Sequence, residues 1–123
     1  MKLCHCGSDL LFESCCSLYL NGKRNAPTAE ILMRSRYSAF ATGAVDYLIN
    51  TTHFSKRKFH NKTELATWSR SNQWLRLEIL AVTETTVTFN AYFLDENLKA
   101  QMHYEHSTFK LENGKWFYVD GVY

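Results

Sequence analysis

Beyond Cys16 the chain contains no cysteine, and its single proline is Pro27. No apolar run approaches the roughly 18 residues that a membrane span needs. The opening MKLCHCGSDLLF lacks the apolar core and small-residue cleavage site of a secretory signal. Glycine is sparse, with 5 in 123 residues, and none forms a phosphate-cradling loop. No serine sits in a nucleophile elbow, and no nucleophile stands with a base and an orienting partner in a recognisable pattern. Charge of one sign is also missing: the formal net charge is +2, with 21% charged residues, too little to point to nucleic acid. A cytoplasmic protein without a membrane anchor is expected.

What is present is a large apolar share, 46%, of which aromatics contribute heavily at 15% of all residues. A chain of this length removes roughly two-thirds of its extended surface on folding, enough for one core without covalent staples. All four cysteines lie in Cys4, Cys6, Cys15 and Cys16, the pattern C-x-C-x8-C-C. In a reducing compartment such crowding reads as a metal site rather than a disulfide frame. Four thiolates satisfy a tetrahedral zinc ion at about 2.3 Å per bond and leave no open position, so the ion is expected to be structural. Gly7 allows the tight turn after Cys6. Adjacent cysteines on a helix point about 100° apart, so Cys15 and Cys16 can share an ion only near a helix end. Iron and copper are the competing metals, and a metal-free set of buried or paired thiols is the bland alternative. His5 lies between two ligands and is expected to point away. Four thiolates plus a divalent ion contribute −2, which cancels the formal +2.

Composition divides the chain into a cysteine-bearing segment (residues 1–22), a polar linker (Lys23–Pro27), and one folded unit (residues 28–123). Thr28 can cap a helix whose apolar positions Ala29, Leu32, Met33, Tyr37, Phe40, Ala41 and Ala44 recur every three or four residues, ending near Gly43. A second helix is expected over Val45–Thr52. A third starts at the capping sequence Asn61-Lys62-Thr63-Glu64 and carries Leu65 and Trp68. The period then drops to two. Leu75, Leu77, Ile79 and Ala81 alternate with polar residues, as do Val87, Phe89, Ala91 and Phe93. Further strands are expected over Leu98–Leu111 and Lys115–Val122, joined at Asn113-Gly114. Helices followed by four antiparallel strands describe an α+β domain with helices on one face of a curved sheet.

Two groups of polar residues break this pattern. Arg36 sits on the apolar stripe of the first long helix, where a guanidinium must find a carboxylate or snorkel to the edge. Strand phase puts His103 and Glu105 on the face that carries Phe109 and Leu111. Glu105 is therefore the expected partner of Arg36, with Glu78 in reserve. One reading is a buried ion pair fixing helix to sheet. The other is a pocket where Arg36, Glu105, His53 and Tyr37 converge beneath Trp68, Trp74 and Trp116, open to a small molecule. The second group, Lys56, Arg57, Lys58 and Lys62, is interleaved with Phe54, Phe59 and His60. It reads as a solvated loop, since one short run offers too few contacts for useful RNA or ribosome affinity.

The opening Cys4-His5-Cys6-Gly7-Ser8 with Cys15-Cys16 resembles the SEC-C zinc motif, best known from the end of the preprotein translocase SecA. Pro27 to Phe40 (PTAEILMRSRYSAF) resembles the signature of the YchJ-like family of bacterial proteins. So do Asp46-Tyr47-Leu48, His53, Glu105, Ser107, Phe109 and the run from Gly114 to Gly121. His5, Asp9 and Phe54 depart from the usual residues at their positions. The resemblance implies a cystatin-like, nuclear transport factor 2-like cone behind a small N-terminal zinc knuckle. It also implies an adaptor role at the four cysteines, with a protein partner. For the cone it implies a small-ligand pocket, an enzymatic site around Arg36, His53 and Glu105, or neither, and dimerisation through the open sheet face stays open.

Overall fold

A computed structural model describes residues 2–123. A single 3-10 turn (Phe12–Ser14) leads into the short helix α1 (Cys16–Leu20). The cone then begins with α2 (Ala29–Thr42), α3 (Val45–Asn50), a 3-10 segment (Phe54–Phe59) and α4 (Lys62–Ser71). Four strands follow: β1 (Gln73–Val82), β2 (Thr86–Leu94), β3 (Ala100–Glu112) and β4 (Lys115–Val122). They pair in sequence order as an antiparallel meander, β1-β2-β3-β4.

The helix boundaries follow local chemistry. The Thr28 hydroxyl accepts from the Ile31 amide at 3.1 Å, and the Asn61 side chain accepts from the Glu64 amide at 3.0 Å. Each satisfies one of the donors that a helix start leaves free. α2 ends at Gly43. Its buried face presents Leu32, Met33 and Tyr37 to Leu77, Val87, Phe89, Ala91, Phe109 and Tyr118 of the sheet, and this is the main core. Each large apolar side chain sealed there contributes about 1.5–3 kcal/mol.

Strand phase departs from simple alternation at bulges. Leu75 and Leu80 of β1 have no residue opposite them on β2. The extra residue at Leu75 turns Trp74 inward, opposite Phe93, and leaves Leu75 exposed, against the expectation that Leu75 shares a face with Leu77. Another irregularity sits between Thr108 and Phe109, and Leu111 beyond it is exposed rather than inward-facing. The sheet is tied to the helical layer at one further place. Tyr118 donates its amide to the Thr51 carbonyl at 2.7 Å, and His53 donates to the Tyr118 carbonyl at 2.8 Å. The connection after α3 thereby runs parallel to β4.

Candidate metal centre and cone cavity

The first cysteine pair is set by a narrow backbone loop. Leu3 and Leu11 form an antiparallel bridge, and the Cys4 amide donates to the Leu10 carbonyl at 2.7 Å. Gly7 occupies the left-handed region (φ 83°) and donates to the Cys4 carbonyl, so the chain reverses directly after Cys6. The second pair lies at a helix start: Cys15 is the N-cap residue of α1 and Cys16 its first helical residue. The four Sγ atoms lie within 4.8 Å of one another, and Cys6 Sγ is 3.7 Å from Cys15 Sγ. A tetrahedron with metal–sulfur bonds of about 2.3 Å has edges of about 3.8 Å, so this spacing fits an ion. All four thiols are free, and Cys4, Cys6 and Cys16 are buried. His5 packs its ring edge-on against Phe12 and is outside the donor set.

The electrostatics of the cluster favour a cation. Donation from Cys16, then from Cys6, draws the Cys4 thiol far below its ordinary pKa against the opposing effect of burial. As donor to Cys4 and Cys6, Cys16 is pushed far upward. Burial lifts Cys15, while the Ser8 hydroxyl 3.2 Å away opposes the shift. A divalent ion bound there would stabilise the thiolate form of the set.

The cluster is docked on the cone rather than tethered to it. Arg34 of α2 donates through Nη1 to the Cys6 carbonyl at 2.6 Å and through Nε to Glu30 at 2.9 Å. Ser38 Oγ lies 3.6 Å from Cys4 Sγ, and Tyr19 of α1 packs against the main core.

A second feature lies inside the cone, a cavity of about 280 Å³. Phe40, Trp68, Trp74 and Phe89 form its aromatic walls, and Arg36, His103, Glu105 and Tyr118 line its polar end. Arg36 is 5% exposed. Its Nη1 donates to the Leu48 carbonyl at 2.9 Å and the Thr51 hydroxyl at 2.7 Å, and its plane lies over the Tyr118 ring at 4.4 Å. The Tyr118 hydroxyl donates to Glu105 Oε2 at 2.8 Å. Ser107 donates to the same oxygen at 2.6 Å, and His103 Nε2 lies 3.0 Å from Oε1. The expected direct Arg36–Glu105 ion pair is therefore not formed; the Tyr118 ring stands between them. Glu78, the reserve partner, points to the opposite face of the sheet, where it accepts from Tyr92 and Asn90.

Burial lowers the Arg36 pKa to about 10, with Tyr118 and Glu105 opposing, so the guanidinium stays cationic at neutral pH. Burial would raise Glu105, but donation from His103, Ser107 and Tyr118 outweighs it and the carboxyl ends below its usual range. Burial raises Tyr37 to about 12. His60, which also lines the cavity, is held below the usual imidazole value by burial and then by Arg36.

Tyr37, Trp68, Trp74, His103, Glu105 and Arg36 line one cavity. His53 and Trp116 do not. His53 heads the 3-10 segment, where Nδ1 lies 2.7 Å from Ser55 Oγ and Nε2 lies 2.6 Å from Glu112 Oε2. Trp116 donates to the Pro27 carbonyl at 3.2 Å and braces the linker from outside. His60 and Tyr123 line the cavity in their place. His60 was hidden in the basic run, and nothing in the alternation of β4 reaches Tyr123. The basic residues are partly committed. Arg57 donates to the Thr52 and Asn50 carbonyls at 2.9 and 3.1 Å, and Lys62 Nζ lies 2.7 Å from Asp46. Lys56 and Lys58 reach over the exposed Phe59 ring.

A helix layer on a four-stranded antiparallel sheet, fronted by four converging cysteines, defines a nuclear transport factor 2-like α+β protein carrying a SEC-C-type cysteine cluster. Residues 28–121 match the family profile described as YchJ, middle NTF2-like domain, and the chain belongs to the YchJ-like UPF0225 family. It is 40% identical to a UPF0225 protein of Vibrio vulnificus, covering 98% of this chain and 74% of that one. Against a UPF0225 protein of Enterobacter sp. (strain 638) the identity is 39%, covering 98% and 83%. The solution structure of a SEC-C motif containing protein from Rhodopseudomonas palustris superposes with a TM-score of 0.90 at 32% identity, covering 98% of both chains. A crystal structure of such a protein from Psychrobacter arcticus gives 0.80 at 26% identity, covering 98% of this chain and 81% of that one.

Proposed function

We propose that Cys4, Cys6, Cys15 and Cys16 hold a structural zinc ion, and that the metal-ordered segment is a non-catalytic docking element for a cytoplasmic protein partner. The observation that carries this reading is the convergence of four sulfur atoms within 4.8 Å of one another. A complete four-thiolate set leaves no position for substrate or water, so the ion supplies order rather than Lewis acidity. Residues 2–22 enclose little core of their own and depend on such a staple. Leu3 and Leu10, 60% and 55% exposed, flank the sulfur cluster and give a partner apolar surface to cover. No helix among the described residues is long and apolar enough to cross a membrane, which accords with a partner reached from solution.

Elemental analysis of the reduced, purified chain tests the first half: one zinc per chain is expected, and the Cys6→Ser variant should lose it. Absence of stoichiometric zinc overturns the assignment. Affinity capture tests the second half. The Leu3→Lys, Leu10→Lys double variant should keep its zinc and lose a partner retained by the parent chain; unchanged capture removes the docking role.

A further inference from the structure

Arg36 is a buried charged group with only part of its hydrogen-bonding capacity used. Its Nη1 makes every hydrogen bond assigned to the side chain, while Nε and Nη2 donate to no described residue. Among the described residues, Asn90 Oδ1 is the one side-chain polar atom both fully sealed and without a partner. The free Arg36 nitrogens therefore keep some access, and the space bordering this residue is the cavity. The neighbouring Tyr37 repeats the pattern: it is 2% exposed, lines the same cavity, and its hydroxyl has no partner among the described residues. A buried guanidinium whose direct partners are a carbonyl and neutral hydroxyls has no carboxylate in contact with it. Glu105 acts on it only at a distance, across the Tyr118 ring, and its two oxygens are engaged by His103, Ser107 and Tyr118, so the free Arg36 donors have room for a directly paired anion.

The remaining lining defines the rest of a ligand. Trp68 and Trp74 stand edge to face with centroids 4.9 Å apart, and Phe40 meets both. Such walls favour a flat apolar body. At about 280 Å³ the cavity falls just below the range of drug-sized sites, roughly 300–1,000 Å³, and suits a single ring with a short arm. Tyr123, 79% exposed, and the partly exposed His60 and Leu65 mark its mouth. We propose that the cone cavity binds a small aromatic carboxylate, its ring against Trp68 and Trp74 and its carboxylate taken by the free Arg36 donors and the Tyr37 hydroxyl. Planar guanidinium and carboxylate match in geometry, which a lysine ammonium would not reproduce.

The test is a titration of the zinc-replete full chain with phenylacetate, phenylacetamide and benzylamine, read by tryptophan fluorescence and by amide chemical shifts. Saturable binding of phenylacetate is expected, about tenfold or more tighter than phenylacetamide, with no binding of benzylamine. Shifts should centre on Trp68, Trp74 and Arg36. Arg36→Lys should weaken phenylacetate by about tenfold. Leu65→Phe at the mouth should weaken all binding without disturbing Arg36. The proposal is overturned if phenylacetate fails to saturate at millimolar concentration, if the amide binds equally well, or if the shifts lie outside the cavity. The wild-type comparison of the three probes decides this even if the Arg36 variant does not fold. It is also independent of the metal centre, because zinc content is held constant.

Discussion

Glu105 can lie where it does because Gly121 has no side chain. A Cβ built at Gly121 would fall inside the Glu105 carboxylate, on the strand paired beside it. Gly121→Ala should destabilise the protein by about 1–3 kcal/mol, the usual cost of overpacking. In a Glu105→Ala background the same change should cost much less, and urea denaturation of the double-mutant cycle measures the difference. The carboxylate also makes stability depend on pH. Its native pKa lies below the unfolded value, so its contribution is full above the unfolded value and is lost as pH falls through the native one. Glu105→Gln should flatten the acid side of the stability profile across that window, and equal slopes for both proteins would refute this. At this scale sequence pattern was informative about faces and poor about depth. It placed Arg36 and Glu105 on facing surfaces, but periodicity carries no information on whether a tyrosine ring intervenes. His53 was grouped with the pocket, whereas it caps a 3-10 segment whose path is not marked by any simple periodicity, and the chain delivers His60 to the cavity instead.

The helices were legible because their ends carry explicit signals. Thr28 and Asn61 each accept a backbone amide, and removing either hydroxyl or amide oxygen should cost about 1 kcal/mol. Thr28→Ala should act on α2, which spans the molecule from the cysteine cluster to the cavity. Hydrogen exchange should therefore rise first at Ala29 to Leu32, and a change confined to α4 would contradict the assignment. Strands were legible as elements and less so in phase. The period of two located all four, with observed limits within a few residues of those expected. The bulges at Leu75 and Leu80 were invisible, since an unpaired residue is a property of two strands and leaves no mark on one. Trp74 owes its place in the aromatic wall to that unpaired residue.

For the molecule as a whole, the cysteine cluster and the cone are expected to behave as one unit. Arg34 binds the Cys6 carbonyl, Ser38 approaches Cys4 and Tyr19 enters the main core, so the interface is polar at the cluster and apolar beyond it. Chelation of the proposed zinc should lower the denaturation midpoint of the entire chain and expose the amides of α2 along with residues 2–22. Two separate transitions, with the cone unchanged, would show that docking contributes nothing. Spacing alone marked the four cysteines as a donor set; nothing in it marked Arg34 as the clasp, because a helix-surface arginine next to a glutamate looks solvated. The meander has a kinetic consequence. Each strand lies beside its successor, so the sheet can zip through short loops on its own timescale. The seam between Thr52 and Tyr118 joins chain segments far apart in sequence and closes a long loop. That seam is expected to form late, after the folding transition state, so substitutions that loosen it should speed unfolding more than they slow folding.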